Sequence, residues 1–133
     1  MPTYSEASIN LYSTDLPRAL AFYQRFGFEE TFRTPRHGAP VHVELRLEGF
    51  TIGIATVEVA REDHGLNPMG EGRWIEIILW TDDVDGAMAA AEAAGAPVIS
   101  AAHEFLGGRL KAGWIADPDG NPVQFVQRLK VED

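Results

Sequence analysis

Glu76 is the only acid in the otherwise apolar run Ile75-Glu76-Ile77-Ile78-Leu79-Trp80. A carboxylate in such a run can pair a cationic ligand, or take a proton as a general base near neutral pH. It can equally form a salt bridge with a structural arginine, Arg46 or Arg73. Gln124 poses a related question in Asp117-Pro118-Asp119-Gly120-Asn121-Pro122-Val123-Gln124-Phe125, where an amide sits between two apolar strand residues. His42, Glu44 and Arg46 alternate with Val41, Val43, Leu45 and Leu47. On a pocket face this trio would shuttle protons or bind an anion; on a solvent face it is a charged ladder. Tyr12, Trp80 and Trp114 can stack on a planar group or fill a core.

Other chemistries are excluded. The 133 residues contain no cysteine, which removes disulfides, thiolate nucleophiles and cysteine zinc sites. No Ser-His-Asp order, phosphate-binding loop or Gly-x-Gly-x-x-Gly fingerprint occurs. The formal charge of −9 lacks the basic footprint of a nucleic-acid binder and would attract a cationic small molecule. No apolar run approaches the ~18 residues of a membrane helix. The N-terminus lacks the basic and apolar stretches of a signal peptide, so a cytoplasmic protein is expected.

These side chains need strands to hold them. Ala7-Ser8-Ile9-Asn10-Leu11-Tyr12 alternates as a strand with one buried face. Asp15 is suited to cap a helix and Pro17 to its first turn. Leu16, Ala19, Leu20, Tyr23 and Phe26 recur at helical spacing, and Gly27 stops the run. Strands are predicted at 41–47 and 50–56, joined by Glu48-Gly49, with a further short strand at 31–32. The second half repeats the order: a strand at 75–80, caps at Asp82 and Asp83, and a helix stripe of Val84, Ala87, Met88 and Ala91. Gly95 is the stop, and strands follow at 97–100, 113–116 and 122–128. Leu16 to Val84, Ala19 to Ala87 and Gly27 to Gly95 each span 68 residues, which indicates a duplicated βαβββ unit. The segmentation is one domain over 1–133, with modules at 1–56 and 74–133 and a linker at 57–73 rich in Gly and Pro. His103 to Gly108 reads as a mobile loop over the second module's site; His37 and His64 read as loop residues at the surface.

The repeat, the helix end Ala21-Phe22-Tyr23-Gln24-Arg25-Phe26-Gly27-Phe28 and the Asp-Pro-Asp-Gly-Asn turn together resemble the vicinal oxygen chelate superfamily. That superfamily includes glyoxalase I, bleomycin-resistance proteins, fosfomycin-resistance enzymes and extradiol dioxygenases. The resemblance covers nearly the whole chain. It implies an α+β fold of two βαβββ modules forming a half-open curved sheet, the glyoxalase/bleomycin resistance/dihydroxybiphenyl dioxygenase fold, and a homodimer. It also implies four inward positions that hold metal ligands in the metal-dependent members. Here these fall on Ser8, Gly53, Glu76 and Gln124.

One carboxylate, a hydroxyl, an amide and a glycine are not the donors a catalytic divalent ion needs, so no metal and no cofactor are expected. With those positions inward, strand parity adds Asn10, Tyr12, Ile78 and Trp80 to the pocket face, with Thr51, Ala55 and Val126 beside them. Ile9, Leu11, Ile52, Ile54, Ile75, Ile77, Leu79, Val123 and Phe125 go under the helices. The candidate ligand-binding set is Ser8, Asn10, Tyr12, His42, Gly53, Glu76, Ile78, Trp80, Trp114 and Gln124. Gly53 is expected to clear room, and Glu76 is the candidate base. The resemblance points to a metal-free protein, like the bleomycin-resistance proteins, that binds a small organic molecule, cationic or aromatic, for sequestration or resistance. The alternative is a lyase, isomerase or dioxygenase-like enzyme using Glu76 as base or a weak divalent site that includes His42.

Overall fold

Alternating apolar residues bounded by turn chemistry give eight strands and three helices among the described residues. The structure is a computed structural model that describes residues 8–64 and 75–130, with Thr3 and Pro68. The chain divides into two units, Met1–Glu71 and Gly72–Asp133. Arg73 lies outside the described residues.

The first unit runs β1 (Ile9–Ser13), α1 (Leu16–Gln24), β2 (Glu29–Thr34), β3 (His42–Leu47), β4 (Phe50–Thr56) and α2 (Val57–His64). Its sheet has the order β1-β4-β3-β2. β1 is parallel to β4, and the other pairs are antiparallel. Asp15 caps α1: its carboxylate accepts from the Arg18 amide at 3.3 Å, while its own amide donates to Ser13 Oγ at 3.0 Å. The α1 stripe of Leu16, Ala19, Leu20 and Tyr23 is buried, as are Leu11, Val43, Leu45, Ile52 and Ile54 of the sheet. Burying each large apolar side chain contributes about 1.5–3 kcal/mol. Tyr23 is fully buried and meets Phe22 and Phe28 edge-on, with centroids 5.0 and 5.9 Å apart. Gly27 takes φ +99° after the helix, a conformation that costs a side chain-bearing residue energy.

The second unit runs β5 (Ile77–Trp80), α3 (Val84–Ala93), β6 (Val98–Phe105), β7 (Leu110–Ala116) and β8 (Pro122–Arg128). Its sheet order, β5-β8-β7-β6, repeats the first, with β5 parallel to β8. Asp83 caps α3 by accepting from the Gly86 amide at 2.9 Å. Val84, Met88 and Ala91 of α3 are buried, and the helix lies against β6, β7 and β8. The approach is close: a Cβ on Gly113 would fall 2.7 Å from Met88 Sδ. The turn before β8 is built around Asp117, which is 4% exposed. Its carboxylate accepts from the amides of Asp119 and Asn121 at 2.9 and 2.8 Å and from Asn121 Nδ2 at 2.9 Å. These bonds offset the cost of burying a charge.

Three local readings change. The segment expected to open the linker is helical from Val57 to His64, capped by Thr56, whose Oγ1 accepts from the Val59 amide at 3.2 Å. Ile75 precedes β5 and is exposed rather than packed under a helix. Residues 103–105, read as part of a mobile loop, complete β6, and the turn follows them. Among the described residues no helix is long and apolar enough to cross a membrane.

Candidate functional site

In each sheet, the face that meets the helix is apolar, and the chemistry lies on the opposite face. Register identifies that face directly. In the first unit Asn10 pairs with Gly53, and Gly53 with Glu44. Tyr12 pairs with Ala55, which pairs with His42. Phe32 joins through its pairing with Glu44. In the second unit Ile78 pairs with Gln124 and Gln124 with Trp114, while Trp80 pairs with Val126. Gly53 and Gln124 therefore hold corresponding places, as do Glu44 and Trp114.

In the second unit, Glu76, Trp114 and Gln124 form one bonded group. Trp114 Nε1–H donates to Glu76 Oε2 at 2.9 Å, and Gln124 Nε2 donates to Oε1 at 2.8 Å. All three side chains are half-buried. Both carboxylate oxygens are thus held by neutral donors, and the negative charge remains. Arg46, in the first unit, donates to the Glu48 carbonyl at 2.8 Å.

Trp114 links this carboxylate to further aromatic groups on the same face. His103 stacks on Trp114, with centroids 5.8 Å apart and planes 21° apart. Arg128 places its guanidinium carbon 3.9 Å from the Trp80 ring centroid, a cation–π contact. Ile78 and Trp80 are 48% and 53% exposed. The His103 stack and the Arg128 contact were absent from the sequence reading. Arg128 stands two residues beyond Val126, so strand parity could have found it. His103 could not be found that way, because β6 is irregular between Ser100 and His103.

The first unit differs. The space that Gly53 leaves is already filled: a Cβ there would collide with Asn10 Oδ1 and come 3.0 Å from His42 Cε1. Gly53 makes room for Asn10 rather than for a ligand. His42 Nε2 lies 3.6 Å from Glu44 Oε1, and its ring meets Phe32 at 6.3 Å. The His-Glu-Arg trio therefore shares the Gly53 face. Tyr12 is half-buried, and Ser8 is exposed just before β1.

The resemblance leads one to expect metal ligands at Ser8 and Gly53 in the first unit and at Glu76 and Gln124 in the second. One carboxylate is present, and N–H donors occupy both its oxygens. Neither unit's pair fits a transition ion, which takes imidazole, thiolate or carboxylate ligands. Among the described residues, no three His, Cys, Asp or Glu side chains gather into a cluster that could hold a metal ion.

The Glyoxalase/Bleomycin resistance protein/Dioxygenase superfamily matches residues 7–125. The chain belongs to this superfamily. Its fold recurs in a hypothetical protein, SA1046, from S. aureus, with TM-score 0.79 and 19% identity over 95% of each chain. A superfamily enzyme from Burkholderia phytofirmans PsJN gives TM-score 0.77 and 25% identity, covering 92% of this chain and 98% of that one. TioX from Micromonospora sp. ML1 gives 0.72 and 25%, covering 94% and 100%. No curated relative matches in sequence. Superfamily membership accounts for the paired modules; it does not select a reaction.

Proposed function

We propose that this superfamily member binds a small planar organic cation, for sequestration or carriage, at Glu76 and Trp114. One observation supports this reading above the rest. Glu76 is fixed by two neutral donors, at 2.8 and 2.9 Å, that orient its charge without cancelling it. Among the described residues, its side chain forms no ion pair with Lys or Arg. A cation there would gain the attraction of the carboxylate. The exposed Ile78 and Trp80 offer apolar area for the ligand's body. The net charge of −9 raises the local concentration of cations.

The test is a panel of planar cations with their neutral isosteres, read by tryptophan fluorescence and thermal shift. Cationic members should bind saturably and add about 2.7 kcal/mol of stability at 100 times Kd. Glu76→Gln should weaken the cations about ten-fold and leave the isosteres unchanged, since 1.4 kcal/mol of lost charge attraction corresponds to that factor. No saturable binding by any planar cation, or equal binding by the variant, would overturn the reading. Turnover of a panel member that Glu76→Gln abolishes with affinity intact would favour a base-catalysed lyase or isomerase instead.

A further inference from the structure

The imidazole of His103 is directional. Its Nδ1 lies 2.8 Å from the Ala101 carbonyl oxygen. A carbonyl can only accept, so Nδ1 carries the hydrogen, and in the Nδ1–H tautomer Nε2 is the acceptor. Stacking on Trp114 sets the plane of the ring. The Trp114 N–H is already committed to Glu76. A fixed carboxylate and an oriented imidazole thus flank one indole. The chain brings them there through a bulge: Ser100 pairs with Trp114 and His103 with Ala112, so β6 uses three steps where β7 uses two. Regular alternation would place Ala102 on that face. Glu104 and Lys111 pair on the other face, where Lys111 bonds Asp85 of α3.

We infer that His103 is a ligand-facing hydrogen-bond acceptor of this site, which narrows the ligand to a planar cation carrying N–H donors, an amidinium or an aminated heteroaromatic cation. The inference rests on the cation-binding reading above. A quaternary cation would satisfy the charge of Glu76 and make no hydrogen bond to Nε2; an N–H cation serves both.

Two probes of equal charge separate these cases in the full chain: benzamidinium, with N–H donors, and phenyltrimethylammonium, without. The wild type should bind benzamidinium about five-fold more tightly, as one added hydrogen bond of about 1 kcal/mol predicts. His103→Phe keeps a ring on Trp114 and should bring the two probes to equal affinity. Long-range proton–nitrogen correlation spectra should show His103 as the Nδ1–H form; the Nε2–H form would overturn the inference. A preference that survives His103→Phe, or equal binding of both probes by the wild type, would overturn it while leaving cation binding intact. Binding of neither probe would count against both.

Discussion

Trp114 and Glu76 are joined by a 2.9 Å hydrogen bond, indole Nε1–H to carboxylate Oε2, between residues 38 apart in sequence. It ties β7 to the residue that leads into β5, two strands separated by β8 in the sheet. The bond can be tested for stability separately from any ligand. Glu76→Ala leaves the Trp114 N–H and the Gln124 amide without their acceptor in a half-buried setting. The expected loss is about 1–3 kcal/mol in urea unfolding. Glu76→Gln keeps one acceptor oxygen and should lose roughly half as much. Equal losses in the two variants would mean that the bonds contribute little.

Asn10 and Gly53 form a second coupled pair. Gly53→Ala would set a methyl group where Asn10 Oδ1 lies and close to His42. Overpacking of this kind costs about 1–3 kcal/mol and outweighs the small gain from replacing glycine in a strand. The double variant Asn10→Ala, Gly53→Ala should regain most of that loss, giving a coupling energy of about 1 kcal/mol or more in a double-mutant cycle. Simple additivity would show that the collision is relieved elsewhere.

The helix caps make a paired prediction. Asp15 and Asp83 occupy corresponding positions, but their bonds measure 3.3 and 2.9 Å. Each Asp→Ala change should cost about 1 kcal/mol, with Asp83 the larger. Asp→Asn at either site should lose less, since the amide oxygen still accepts. Chemical denaturation of the four variants checks the order.

An acid-side pH dependence follows from Glu30. Arg33 donates to its carboxylate through Nε at 2.8 Å and Nη2 at 2.7 Å. That hydrogen bond holds the Glu30 carboxyl below its ordinary value. The folded value is the lower one, so the stabilisation is present above the ordinary glutamate range and is lost as pH falls through the lowered value. Wild type should therefore exceed Glu30→Gln in stability near neutrality and converge with it in acid. The pair is exposed, so the difference should be small and shrink with added salt.

Much of the fold was legible from local signals. Caps, helix stripes and stop glycines act within a few residues, which is why α1 and α3 and the 68-residue spacing could be read directly. Strand parity also placed Gln124, Ile78 and Trp80 on one face and Ile77, Val123 and Phe125 on the other, because regular β5 and β8 preserve a period of two. The helix at Val57–His64 was missed where Gly and Pro further along suggested a linker. Its signal was Thr56 followed by Val57 and Ala60 at helical spacing.

The pattern of residues by itself determined the duplicated modules and put side chains without ionisable groups at Ser8, Gly53 and Gln124. Tertiary structure alone decided what those positions do. Gly53 receives Asn10, Arg128 covers Trp80, and His103 reaches Trp114 through a bulge. Each depends on cross-strand register, and one extra residue in a strand reverses the face of everything beyond it. Nothing local in Val98-Ile99-Ser100-Ala101-Ala102-His103 marks where that residue goes; only pairing with β7 sets it.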